Sequence, residues 1–245
     1  MRNILISIII ALVITAGMNF LLENLGFSIL AAVIVGLIAF FILTKKTMKE
    51  LEILNEKAQK AIYSQKFDRA IKIYESGLVL RKKSPFIAGQ IYGMIGMLYF
   101  MRRDNKNAKS NLQKASSLNW VSKGMLGVIY MHEKNPVEME KALKTMVSAG
   151  KKEGLAWALY AYCLDKINKR EDAIKILEEG NKKLKEVDDR IKSNILELRN
   201  GRRMRMKAFG DPWYQFMLEN PPRKRMMQQA SPSQGKFKKN AMYKG

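Results

Sequence analysis

The stretch NKREDAIKILEEGNKKL, residues 168 to 184, places a polar turn before an alanine, a large apolar residue four positions later, and a glycine three positions after that. The same order, with a small residue in the last place, recurs in QKFDRAIKIYESGLVL, from residue 65, and in RDNKNAKSNLQKASSL, from residue 103. The marked positions are Ala70, Tyr74 and Gly77; Ala108, Leu112 and Ala115; and Ala173, Leu177 and Gly180. A pattern that returns at such intervals predicts a stack of similar helical units.

Each turn also follows a second helical pattern. The residues before the second turn are Tyr92, Ile95, Gly96 and Tyr99, and those before the third are Trp157, Tyr160, Ala161 and Leu164. This order resembles the tetratricopeptide repeat, a helix-turn-helix unit of about 34 residues. The resemblance covers roughly residues 51 to 185 and is strongest from Gly89 to Asn119. A degenerate unit lies between, where Met139 replaces the expected alanine.

The resemblance implies an all-α solenoid of about four stacked units, because no single unit can bury its own apolar face. Small residues then mark contacts between helices, so Gly77, Gly96, Gly127 and Gly180 are interpreted as packing positions rather than as a phosphate cradle. In this family the first helices line a concave face that binds a peptide or helix of a partner. The candidate partner-binding residues on those helices are Tyr92, Tyr99, Lys123, Tyr130 and Trp157.

Two uncharged apolar runs, residues 4–22 and 25–43, begin the chain. Each approaches the roughly 20 residues that a helix needs to cross a bilayer, which predicts a transmembrane hairpin over residues 1–46. A cleaved signal peptide is the alternative for the first run, but the run is long and lacks a clear cleavage site. Arg2 and Lys45, Lys46 and Lys49 flank the hairpin. Positive flanks favour an inner-membrane protein whose soluble region is cytoplasmic.

The segment GDPWYQFMLENPP, residues 210–222, carries an aromatic cluster between basic stretches. Asp211 is a suitable helix cap, Pro212 suits the first helical position, and the prolines at 221–222 end a short amphipathic helix. Either this helix packs back onto the repeats, or it is displayed to a partner or a membrane interface. The second alternative makes partner-binding residues of Trp213, Tyr214 and Phe216. Before it, a capping helix is predicted from Asp188 to Met206. Asp188 or Asp189 can cap it, and its inner stripe is Ile191, Ile195 and Leu198.

The formal net charge of +22 and the pI near 10.0 favour an anionic partner surface. Two basic segments could provide it, a cluster at the end of the repeats and a tail over residues 221–245 whose composition predicts disorder. Their candidate residues are Arg199, Arg202, Arg203 and Arg205, and then Arg223, Lys224 and Arg225. Anionic lipid or an acidic protein is preferred over nucleic acid, and a merely solvating tail is the plainer alternative.

Catalytic chemistry has little support in this sequence. His132 and Cys163 are the only histidine and cysteine, so a histidine-activated nucleophile and a Cys/His zinc site are both disfavoured. Cys163 lies in the apolar stretch WALYAYCL, which predicts a buried thiol. We expect no enzyme activity, no cofactor and no metal. The sequence thus predicts a hairpin (1–46), repeats (47–187), a capping and amphipathic region (188–220) and a basic tail. The predicted function is a membrane-anchored protein-interaction scaffold; the alternative is a tether that binds nucleic acid or anionic lipid. Self-association is left open.

Overall fold

The computed structural model describes residues 2–22 and 24–222, and within these residues every regular element is an α-helix or a 3₁₀ turn, with no strand. This confirms the predicted all-α class. The α-helices are α1 (Arg2–Leu22), α2 (Leu25–Tyr63), α3 (Phe67–Gly77), α4 (Pro85–Met101), α5 (Asn105–Lys114), α6 (Trp120–His132), α7 (Pro136–Ala149), α8 (Gly154–Lys166), α9 (Arg170–Lys183), α10 (Asp189–Arg199) and α11 (Asp211–Tyr214). The two 3₁₀ turns are Leu78–Lys82 and Met206–Phe209.

The helices pack as consecutive pairs. The second half of α2 packs with α3, α4 with α5, α6 with α7, and α8 with α9, while α10 covers α9. Each pair also touches the next. The buried apolar side chains form two clusters, one from Leu51 to Leu98 and one from Phe100 to Phe216, and the half-buried Tyr99 packs against both.

The turn inside each pair has the same backbone geometry. One residue in each turn adopts a left-handed conformation, with φ between 56° and 63°: Gln65, Arg103, Lys134 and Asn168. The next backbone N–H then donates to a carbonyl five residues back, as from Asp104 to Tyr99 at 3.0 Å. This is the hydrogen bond that closes a Schellman motif at a helix end. The first helix of every pair therefore ends in the same way, and the second turns back along it.

Small residues lie where the two helices of a pair touch. A Cβ atom on Gly96 would be 2.7 Å from Cγ of Leu112, and one on Gly127 would be 2.5 Å from Cδ2 of Leu143. In the fourth pair the ring of Trp157 covers the bare backbone of Gly180. These contacts confirm the packing interpretation of the glycines.

The longest helix, α2, joins the apolar N-terminal region to the repeats without a break. Its 39 residues end at Tyr63, and its last turns bury Ala58 and Ala61 against α3. Among the described helices, α2 alone is long and apolar enough to cross a membrane, and the apolar part of α1, Arg2–Met18, is shorter. The two helices lie side by side, and Asn3 Nδ2 donates to Thr47 Oγ1 at 2.9 Å.

The predicted capping helix is shorter than expected. Asp188 does cap it, since its carboxylate accepts the Arg190 N–H at 3.1 Å. However, α10 ends at Arg199 rather than Met206, because Gly201 takes a left-handed φ of 71° and redirects the chain. The predicted inner stripe of Ile191, Ile195 and Leu198 is buried.

We expect Gly180→Ala to lower the free energy of unfolding. The added methyl would lie 2.6 Å from Cγ of Trp157, a ring that is only 3% exposed and cannot move aside. Overpacking costs about 1–3 kcal/mol, against a gain of about 1 kcal/mol in helix propensity. Gly17→Ala is the matched control, because a Cβ at position 17 would have nothing within 4 Å. Thermal melts of the full chain in detergent that gave both variants the same Tm would contradict the packing role.

Candidate functional site

The segment after α10 folds back over the first helices of the third and fourth pairs. Trp213 and Phe216 are both 0% exposed. Trp213 meets the Tyr162 ring of α8 edge-on at 5.0 Å between centroids, and Phe216 lies 6.2 Å from the Trp120 ring of α6. Of the two alternatives for the aromatic cluster, the structure has the one in which it packs onto the repeats.

The local path of this segment differs from the predicted helix. Gly210, with φ 69°, occupies the cap position expected for Asp211, and Pro212 becomes the second helical residue. The helix ends at Tyr214 instead of continuing to Asn220, and Met217 has a left-handed φ of 54°. A single turn has too few hydrogen bonds to hold itself, so the contacts of the two buried rings determine where the chain goes.

A groove remains between this segment and helices α4 and α6. Its volume is about 570 Å³, within the range of roughly 300–1,000 Å³ that is usual for binding sites. Its lining is rich in methionine and carries a few charged side chains: Met97, Met101, Arg103, Met125, Asp211, Tyr214, Gln215, Met217, Glu219, Asn220 and Pro221. A flexible, polarisable thioether adapts to irregular apolar partners, so the lining suits an apolar side chain of a bound segment.

One polar group in the groove is unsatisfied within the described residues. The Oε2 atom of Glu219 is buried and accepts no hydrogen bond from them. A buried acceptor without a donor is costly. A bound molecule that supplied an N–H group or a cation at this point would therefore gain affinity from it.

The five residues predicted on the first helices do not line this groove. Lys123, Tyr130 and Trp157 are buried, at 8%, 6% and 3% exposure, and each has an internal partner. Lys123 Nζ donates to the carbonyls of Leu112 and Ala115, Tyr130 Oη accepts from Gln113, and Trp157 Nε1 donates to the Lys151 carbonyl. Burial lowers the pKa of Lys123. These three side chains hold neighbouring helices together.

The other two first-helix candidates, Tyr92 and Tyr99, are half-buried, and Lys114 Nζ lies 5.4 Å from the centre of the Tyr92 ring. Tyr214 alone of all the predicted partner-binding residues lines the groove. Sequence reasoning missed the methionines, although a total of 16 in the chain was a signal. It also missed Glu219, whose position depends on the path of the folded-back segment.

The basic cluster at the end of the repeats is largely engaged in ion pairs. Arg199 pairs with Glu178, and Arg202 and Arg205 both pair with Glu197, at 3.9 and 2.7 Å. The two carboxylates offset two of the four arginine charges that the prediction assigned to an anionic surface. Arg203 is exposed, and Arg223, Lys224 and Arg225 lie outside the described residues.

The lone cysteine is enclosed in the core. Cys163 is 0% exposed, and burial raises the pKa of its thiol from 9.0 to about 12. His132 is exposed at the end of α6, and no cluster of three or more metal-ligating side chains occurs in the part of the chain that the structure describes. The thiol is therefore positioned as a small core residue.

We expect Cys163 to resist thiol reagents in the folded chain. At about pH 8, near the ordinary thiol pKa, an aromatic disulfide reagent should modify no thiol until guanidinium unfolds the repeats, and then one per chain. Leu118→Cys, at a side chain that is 79% exposed, should add one thiol that reacts at once. Rapid modification of the natural chain would contradict the burial.

We expect Trp213→Ala to destabilise the fold by about 3–5 kcal/mol, the usual cost of removing a large aromatic ring from a core. Leu118→Ala, which truncates an exposed side chain, should change stability by less than about 0.5 kcal/mol. Denaturant titration of the two variants tests this, with limited proteolysis reporting release of the segment after α10. Equal stability of the two variants would mean that the aromatic cluster is not part of the core.

Neither a family model nor a curated protein sequence matches this chain. One solved structure that is similar is the crystal structure of MamA protein; the match covers 74% of this chain and 92% of that chain, with 16% sequence identity and a TM-score of 0.46. A match this distant says nothing about what the present chain binds.

Proposed function

We propose that this protein is a membrane-anchored interaction scaffold whose helical repeats present the methionine-lined groove to a segment of a protein partner. The groove is the observation that carries the proposal. It joins an apolar lining at Met97, Met101 and Met217 to an unsatisfied carboxylate oxygen of Glu219. Peptide-binding sites combine apolar pockets with a few polar groups that fix orientation in this way.

The partner chemistry follows from the lining. An apolar side chain would enter between the thioethers, and a neighbouring amide or cationic group would meet Glu219. Arg103 also lines the groove. The partner segment therefore carries a hydrogen-bond acceptor for Arg103 and a donor for Glu219, on either side of its apolar side chain. Such a mixed lining favours a peptide or helix over an extended polyanion.

The anchor in this proposal is α1 together with the apolar part of α2. Apolar side chains on both helices are turned outward, with Val13 67%, Leu37 64% and Phe41 69% exposed. An apolar surface of this extent is typical of a membrane or protein interface. Arg2, Lys45 and Lys46 lie at the ends of the two apolar helices that are nearest the repeats. By the positive-inside rule, the proposal therefore has the repeats on the cytoplasmic side of the inner membrane.

We expect a photo-reactive amino acid at position 101 to form a crosslink to one defined protein in cells. Met101 is 45% exposed within the groove, whereas Val137, at 74%, lies outside it and is the control position. The crosslink should survive deletion of residues 223–245, which leaves the groove lining in place. It should be lost in Met97→Glu, while Leu118→Glu, which changes an exposed site outside the groove, should keep it.

If the full-length chain crosslinks to nucleic acid, and deletion of residues 223–245 abolishes that crosslink, the protein is a nucleic-acid tether and not a protein-interaction scaffold. Equal crosslinking from positions 101 and 137 would also contradict the groove. Both glutamate variants are first checked for an unchanged Tm, so that loss of crosslinking reports the groove and not unfolding.

A further inference from the structure

We propose a second membrane contact, in which the turn between α3 and α4 rests on anionic phospholipid headgroups. This turn, residues 78–86, comprises the 3₁₀ turn Leu78–Lys82 and the link to the start of α4; it is called the 78–86 turn below. The inference rests on the proposed membrane anchor. In this proposal the repeats contact the bilayer surface themselves, in addition to being joined to it through α2.

The first step is the position of the turn. The backbone N–H of Asn3 donates to the carbonyl of Lys83 at 3.2 Å. Asn3 is the second residue of α1, and its side chain also bonds Thr47 of α2. The turn therefore lies beside the point where both helices leave their apolar runs.

A salt bridge fixes the turn to α2 as well. Lys83 Nζ donates to Glu50 Oε1 at 2.7 Å, and both side chains are partly screened from solvent. Asn3 and Thr47 are almost fully buried, at 4% and 2% exposure. Two helices and the turn thus meet in one hydrogen-bonded junction.

The second step is the level of the membrane surface. In α2 the apolar run ends at Leu43, and Lys45 and Lys46 come shortly after it. The headgroup region adds roughly 5–8 Å on each side of the hydrocarbon core. Asn3 is hydrogen-bonded directly to Thr47 and to the carbonyl of Lys83. Because Thr47 comes just after the end of the apolar run, the turn is at headgroup level.

The third step is what the turn presents. Val79 is 62% exposed and Phe86 65% exposed, and Arg81 is exposed between them. Phe86 is three residues from Lys83, so its backbone lies within about 10 Å of that residue. An apolar and basic surface of this kind suits the interface, where apolar side chains enter the acyl boundary and cations meet lipid phosphates.

The occupant is anionic lipid because the exposed charges between the apolar runs and the junction, and on the 78–86 turn, are basic. Exposed basic residues flank it on three elements: Arg2, Lys45, Lys46, Lys49 and Arg81. The acidic side chain at the junction, Glu50, is already paired with Lys83. Each basic residue near an anionic surface contributes about 1 kcal/mol, so several together favour such a surface strongly.

The test uses fluorescent labels on the full chain, reconstituted into vesicles. Phe86→Cys, Leu37→Cys and Val187→Cys each receive an environment-sensitive dye, and Cys163 stays buried and unlabelled. Leu37 reports insertion of α2, and Val187, 78% exposed near α10, reports a site away from the junction. Vesicles contain brominated phosphatidylcholine, either alone or with phosphatidylglycerol in equal amount.

We expect the dye at 86 to be quenched strongly in the anionic vesicles, and the dye at 187 to be unaffected. Arg81→Gln should shift the docked-to-undocked ratio at 86 by about fivefold, the equivalent of 1 kcal/mol. Lys152→Gln, at an exposed site away from the junction, is the matched control and should leave the quenching unchanged.

The outcomes separate the two proposals. A dye at 86 that behaves like the one at 187, while position 37 is quenched, overturns the second contact and leaves the anchor. Quenching at neither 37 nor 86 overturns the anchor and the contact with it. Equal quenching at 86 in both kinds of vesicle overturns the assignment of an anionic surface.

Discussion

The close approach of two helices at a bare backbone position is the constraint on which this structure depends. In the second and third pairs a leucine of the second helix packs against a glycine of the first. In the fourth pair the Trp157 ring packs against Gly180. A side chain at these positions would separate the helices, and protein interiors tolerate little expansion. The repeated Schellman turns fix the other end of each pair. Together they set the stacking, and the stacking creates a common face on the first helices.

That face is largely filled by the protein itself. Trp213 and Phe216 occupy it, and Phe216 rests where a Cβ on Gly124 would be only 2.8 Å from its Cε1 atom. The groove is the part that the folded-back segment leaves uncovered, so its walls come from three regions far apart in the chain. One wall is the segment itself, so in the proposed function the residues that close the core would also contact the partner.

The junction of α1, α2 and the 78–86 turn has a mechanical consequence. Because α2 continues unbroken from its apolar half into the first helix pair, a rotation of that apolar half would also rotate the repeats. Asn3 and the Glu50–Lys83 pair link the second pair to the same point. In the proposed orientation the groove would then face the cytoplasm in a defined direction, which limits the partners that can reach it from the membrane plane.

The sequence by itself determined the helices, their pairing and the glycine contacts, because these depend on periodicity and spacing within one unit. It also limited the helix cap to Asp188 or Asp189, of which the structure uses Asp188, and it predicted the buried thiol of Cys163. The exposure of single side chains depended on tertiary structure: Lys123 and Trp157 became core residues with internal hydrogen bonds. The early end of the last helix and the composition of the groove were likewise decided by long-range contacts. No local pattern encodes them, since the energy that stabilises that segment comes from rings packed against helices roughly 50 to 100 residues earlier in the chain.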